Sequence, residues 1–288
     1  MKSFKNYFDT VNHLNWTRIE NHPDKNINGK SLFEIGYIRY KITSDKLKKY
    51  IDGEVSILDA GIYPGITTQI VCEYFPTRKK IKTLLGIGFG LSDEFKKKFN
   101  EYNVDLVEGD LEKDELFEKI ERNKFEVVLF NDVIEHLSEP LNCLLNLNKA
   151  QKMGGYLILT TDNVSRFEML KKMLKGQSSN VPLIESSFFF DGDHRPHFRE
   201  YSKDELYQLL KWSGYSVIEH EFYEYNFYKQ KNKLKRFLKN FFLYLFKHTK
   251  NNHIIVAKKT KDFETAKSES PAKVSTMEEW TTLRKKFG

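Results

Sequence analysis

The chain has 288 residues, 40% hydrophobic and 14% aromatic, enough to bury the core of one large domain. Its two cysteines, Cys72 and Cys143, stand far apart in apolar surroundings, which excludes a disulfide framework or a cysteine-built zinc site. The formal charge of +7 is local: residues 229–250 hold eight Lys and Arg and no acid, and the remainder is close to neutral, so nucleic acid is not an expected partner.

In chain order, residues 1–30 are a polar lead-in with a short helix, lacking the apolar stretch of a secretory signal. Residues 31–50 form a helix, and Val55–Asp59 is a short buried strand ending in a Gly/Pro turn before a helix from about Thr67 to Tyr74. Lys82–Gly88 is a second strand, Asp93–Tyr102 a helix and Val104–Glu108 a third strand. Phe125–Phe130 is almost uninterruptedly apolar, as a strand covered on both faces must be. A helix over Pro140–Lys152 is expected to stop on Gly154-Gly155, with Tyr156–Thr161 the next strand. Residues 162–200 lack periodicity and are expected to act as a lid. Ser202–Ser213 is a helix with Ser202 and Glu205 in capping-box spacing. Tyr215–Tyr223 is a strand, 230–248 a basic amphipathic helix, His253–Lys258 a last strand, and 260–288 a poorly ordered tail. Strands alternating with helices at this spacing predict an α/β fold, a Rossmann-like, mostly parallel sheet in three α/β/α layers over residues 31–259. No apolar run reaches the ~18 residues of a membrane span, so a cytoplasmic protein is expected.

The first strand runs into Asp59-Ala60-Gly61-Ile62-Tyr63-Pro64-Gly65. Ligands of doubly wound sheets bind beyond the strands' carboxyl ends, and glycines there let the backbone turn and approach closely. Alone, this turn also fits a plain strand-to-helix connection. Together with VEGDLEKDEL (107–116), FEVVLFNDVIEHL (125–137) and KMGGYLILTTDN (152–163), it resembles the class I S-adenosylmethionine (SAM)-dependent methyltransferase family. The resemblance implies SAM as cofactor and a seven-stranded sheet whose last strand is antiparallel. It also implies that Asp59, Gly61 and Gly65 line the methionine end of SAM, that Asp110 and Leu111 meet the adenine, and that Asn131 sits beside the cofactor. Where the family usually carries an acid for the ribose, this chain has Gly88, leaving Ser92, Asp93, a backbone group or water as alternatives.

A second set comprises Asp132, Glu135 and His136, which a helical turn would place on one side, and the distant His197. Two carboxylates and two imidazoles suit Mg²⁺ or another divalent cation. The pattern is similar to ubiquinone-pathway O-methyltransferases and to small-RNA 3′-terminal 2′-O-methyltransferases, where a later histidine is followed by an aromatic and Ser/Thr, here Tyr201 and Ser202. Three readings stand side by side: a cation ligated by Asp132, Glu135, His136 and His197; His136 or His197 as a catalytic base without metal; or a structural role for these side chains. In the lid, His194 and Arg195 are candidates for an anionic substrate and Phe188–Phe190 for packing. The 229–250 segment either packs on its own domain or meets an anionic membrane, placing the protein at the inner face of that membrane. The expected activity is O-methylation of a hydroxylated small molecule or a sugar of a surface glycan, the preference for sugars resting on bacterial sugar methyltransferases with a D-x-G-x-x-P-G turn. An RNA ribose methyltransferase and a non-catalytic protein of the same fold are the alternatives.

Overall fold

Seven strands carry the molecule. The computed structural model describes residues 4–10, 26–27, 30–74, 80–178, 197–224, 233–271 and 277–287. Besides a short antiparallel pair (Asn26–Ile27 with Lys30–Ser31), the strands of the main sheet are β1 (Val55–Ala60), β2 (Ile81–Gly88), β3 (Asp105–Glu108), β4 (Phe125–Asn131), β5 (Gln151–Asp162), β6 (Tyr215–Tyr223) and β7 (Asn252–Lys259). They pair in the order β3-β2-β1-β4-β5-β7-β6. All are parallel except β7, which runs antiparallel between β5 and β6. The expected seven-stranded sheet with its last strand reversed is therefore present.

Alternation along the central strands builds two separate cores, because successive side chains leave opposite faces of a pleated sheet. Leu58, Val128, Phe130, Leu157, Leu159 and Ile255 point into one. Their neighbours Ile57, Val127, Leu129, Ile158, Ile254 and Val256 point into the other. The first core is closed by α5 (Asp114–Glu118), α6 (Pro140–Ala150) and α8 (Lys203–Trp212), the second by α2 (Leu32–Tyr50), α3 (Ile66–Glu73) and α4 (Asp93–Glu101). Three α/β/α layers result, and the apolar run 125–130 is buried on both sides as its composition requires.

Remaining helices sit at the edges. The lead-in helix α1 (Phe4–Thr10) is docked rather than loose: Phe4 and Phe8 are buried with Tyr40, Ile66 and Ile70. Three segments differ from expectation. Gly154 and Gly155 do not cap α6; that helix ends at Ala150, and β5 starts at once with a bulge facing Phe125–Val127, where Gly154 has φ +79°. The segment 162–200 contains a helix, α7 (Phe167–Leu174), and the expected disordered tail contains α10 (Phe263–Glu269) and α11 (Met277–Phe287). Asp262 caps α10 by accepting the Thr265 N–H at 2.9 Å, and Ala266 is buried, so local capping and one apolar contact order that part of the tail. The amphipathic helix is α9 (Lys233–Leu245). Among the described residues, no helix is long and apolar enough to cross a membrane.

Candidate active site

The carboxyl ends of β1, β2 and β3 are laced together by backbone. Gly61 and Ile62 N–H donate to Ile87 O at 2.9 and 2.8 Å, and Gly109 N–H donates to Gly88 O at 2.9 Å. The turns after β1, β2 and β3 therefore lie along one rim, with Gly61 and the Asp110-Leu111 pair on it together. Asp59 is buried at the end of β1 and accepts a hydrogen bond from Thr68 Oγ1. Burial pushes its carboxyl up to about 6, the Thr68 bond opposing. Gly61 has φ +91°, and a Cβ there would meet Val133 Cγ2 at 2.3 Å. Gly65, φ +87°, faces inward: a Cβ would strike the Phe99 ring at 2.4 Å, so close packing on α4 explains its lack of a side chain. Asp110 accepts the Glu112 N–H at 3.0 Å, turning the chain after β3, and Leu111 is buried in the first core.

Gly88 lacks room for the acid expected of the family. A Cβ there would lie 2.7 Å from Leu91 Cδ2 and 3.1 Å from Ile62 Cγ2. Of the alternatives, Ser92 spends its hydroxyl capping α4, accepting the Phe95 N–H at 3.2 Å, while Asp93 is exposed at the start of that helix.

The end of β4 supplies Asn131. Among the described residues, its buried amide nitrogen has no hydrogen-bond partner, although its oxygen accepts weakly from Thr160 Oγ1 at 3.4 Å. Such a group costs about 1–3 kcal/mol unless something pairs with it.

Asp132, the next residue, departs from expectation. Helical spacing from 132 to 136 requires helical backbone throughout, but Asp132 has φ +51° and only Ile134–His136 form a 3₁₀ turn. Its carboxylate is ion-paired with Arg39 of α2 and accepts from Thr160 Oγ1 at 2.6 Å. Among the described residues, it is in neither cluster of candidate metal ligands.

Glu135, His136 and His197 do converge, with one donor atom from each within 4.8 Å of the others. The His136 and His197 rings meet edge to face, centroids 4.6 Å apart. Glu135 is buried and accepts from Thr161 Oγ1 at 2.8 Å. Burial and then the charge of Asp162 raise its carboxyl to about 7, His197 opposing. Its backbone oxygen receives the N–H groups of Phe198 at 2.7 Å and Arg199 at 3.3 Å, which brings the 198–199 stretch onto the 3₁₀ turn.

Two residues that sequence reasoning passed over complete the surroundings. Asp162, at the end of β5, and Glu200 each place an oxygen near His197 Nδ1, at 3.8 and 3.9 Å, forming a second possible ligand group. Burial opposes charge on His197, but Glu200, Glu135 and Asp162 outweigh it and raise the imidazole to about 9. Arg166 grips Glu200 with both guanidinium nitrogens, one at 2.8 Å. The signals available were the acid closing the TTDN block and the spacing from His197 to Glu200. His194, Arg195 and Phe188–Phe190 lie outside the described residues.

A buried relay supports this segment from beneath. His253 Nε2 is 3.1 Å from Tyr201 O, His253 Nδ1 is 3.0 Å from His220 Nε2, and His220 Nδ1 is 3.3 Å from Tyr207 Oη. If both imidazoles are neutral, each nitrogen has one role: His253 donates to Tyr201, His220 donates to His253, and Tyr207 donates to His220. Burial depresses both, His253 to about 3 with His220 adding to the effect, and His220 to about 4 with Lys203 adding to it.

A family model described as a methyltransferase domain matches residues 35–220, most of the chain and all of this rim. The chain belongs to the SAM-dependent methyltransferases. Among its relatives is the malonyl-[acyl-carrier protein] O-methyltransferase of Priestia megaterium, 27% identical over 173 residues, 60% of this chain and 58% of that enzyme. The chain thus spans under two thirds of that relative. Among solved structures, a putative sarcosine dimethylglycine methyltransferase from Galdieria sulphuraria aligns with a TM-score of 0.53 at 12% identity, over 80% of this chain and 88% of that one. A Pyrococcus horikoshii OT3 protein aligns at 0.51 and 18% identity, over 90% of this chain and all of that one. Both likenesses concern the fold.

The methyltransferase rim suits SAM at two places: the unpartnered Asn131 amide offers a donor, and the turn at Asp110 and Leu111 offers an acceptor beside an apolar surface. At the ribose position no side chain from the end of β2 is available.

Proposed function

We propose that this methyltransferase transfers a methyl group to a hydroxyl oxygen of a small acceptor, a sugar of a surface glycan being one candidate. The observation that carries this reading is the meeting of His197 with Glu135 and His136, which follow Asn131 at the end of β4. SAM supplies an electrophilic methyl on a sulfonium centre. What the chain must then provide is a fixed acceptor oxygen and a destination for its proton. His136 and His197 are proposed to bind that oxygen, with Asp162 and Glu200 oxygens lying 3.8 and 3.9 Å from His197 Nδ1. A divalent cation fits the donors of Glu135, His136 and His197, and would lower the pKa of a bound hydroxyl. Asp59, Gly61, Gly65, Asp110, Leu111 and Asn131 are proposed to hold the cofactor.

Of the carboxylates around His197, Glu200 is paired with Arg166, burial raises Asp162, and Glu135 is raised to about 7, so the acids here are offset and the choice between a hydroxyl and a carboxylate acceptor falls to experiment. The test is incubation with SAM and paired acceptors, hydroxylated sugars against free carboxylic acids, followed by mass spectrometry for the gain of one CH₂. Methylation of hydroxyls is expected; methylation confined to carboxylates refutes the reading. Excess chelator is expected to abolish transfer, and His136→Ala and His197→Ala to weaken cation binding measured by calorimetry. Full activity in chelator removes the cation and leaves the imidazoles.

A further inference from the structure

The helix α9 is turned the wrong way for a helix that merely covers its own domain. At 100° per residue, Leu234, Phe237, Leu238, Phe241, Tyr244 and Leu245 fall within an arc of about 120°. All six are 53–71% exposed. The side that meets the body is the opposite one. Leu243 is buried, the Phe242 ring packs 4.8 Å from that of Phe167 on α7, and Lys239 pairs with Glu224 at 2.9 Å and Glu168 at 3.6 Å. The apolar face therefore looks outward. Lys233 and Arg236 flank it on one side and Lys235 on the other. The neighbouring α7 adds Met173 and Leu174, 56% and 88% exposed.

We infer that this face is a peripheral membrane-binding surface for an anionic lipid headgroup layer. Six large apolar side chains in one outward arc suit insertion among acyl chains, and flanking cations suit the phosphates at that depth. The same charge opposes a second copy of the chain, since residues 229–250 carry eight basic groups and no acid to meet them. The helix is also tied to the catalytic rim. Asn163, next to Asp162, donates through its side chain to His248 O and Lys250 O, both at 2.8 Å, just past the end of α9. Docking by α9 sets the rim close to the lipid surface, so the acceptor class it favours is one carried on or delivered from a membrane. The surface itself does not depend on which atom is methylated.

The experiment uses the full chain and sedimentation with vesicles of phosphatidylcholine alone or mixed equally with phosphatidylglycerol. Binding to the mixed vesicles only, weakened by salt, is expected. Phe237→Ser/Phe241→Ser removes two exposed rings, so folding is retained by circular dichroism while partition falls on the order of 100-fold. Lys233→Glu/Arg236→Glu is expected to lower it about tenfold and to flatten the salt dependence. Wild-type chain left in the supernatant with mixed vesicles overturns the inference, as does partition unchanged by the Phe pair. So does a wild-type dimer, by sedimentation velocity, that the Phe pair converts to a monomer without vesicle binding.

Discussion

Replacing His253 with Gln should remove a defined part of the protein's sensitivity to acid. His253 is fully buried, and its imidazole is depressed from 6.5 to about 3 because burial excludes the charged form and the neighbouring His220 disfavours a second charge. Between those values the unfolded chain binds a proton that the folded chain refuses, so this contribution is complete above pH 6.5 and is lost as the pH falls below it. At about pH 5 the loss at one such histidine is about 2 kcal/mol, and it continues to grow towards the folded value. His220 acts in the same direction, by less, because it is partly open to solvent. Asp59 and Glu135 act oppositely: their folded values are raised to about 6 and about 7, so acidification through those values favours the folded state. The wild-type curve alone is thus a mixture, and the informative quantity is the difference between proteins. Urea unfolding of wild type and His253→Gln at about pH 8 and about pH 5 should show the gap between them shrinking by about 2 kcal/mol on acidification. A gap equal at both pH values would mean that His253 takes its proton in the folded state and that the relay is not neutral.

Gly61→Ala should cost about 2–4 kcal/mol in urea unfolding, from the left-handed backbone and the 2.3 Å approach to Val133 Cγ2; Gly61→Ala/Val133→Ala should recover only the contact part. Asn131→Leu should leave the melting temperature unchanged or higher, because a buried unpaired amide is removed, while calorimetry shows SAM affinity falling about tenfold. A variant that binds SAM normally would show that the amide faces away from the cofactor.

Where the sequence was legible, burial imposed a pattern. The run Phe125–Phe130 is apolar because it lies between two helical layers, and Ser202 with Glu205 forms the capping box its spacing announced. Glycine was ambiguous: Gly154-Gly155 has the same local appearance as a helix stop and a strand bulge, and only pairing with Phe125–Val127 distinguishes them. Asp132 was misplaced because its partner is Arg39 on a separate helix, an ion pair that no local spacing reveals. Glu135, His136 and His197 could be grouped by resemblance, whereas Asp162 and Glu200 join them only through the meeting of β5 with residues 197–200. For α9, periodicity defines an apolar face but not whether that face turns towards the protein.

His197 is followed at once by main-chain anchors: the Phe198 and Arg199 N–H groups donate to the carbonyl of Glu135, and the Val164 N–H donates to Tyr201 O. Amides of this kind survive most substitutions, since any residue but proline brings its own N–H. Side-chain exchange at 198 or 199, proline apart, accordingly leaves the imidazole at its post. The side chains at those two positions are then free to change what they meet without disturbing how the imidazole is held.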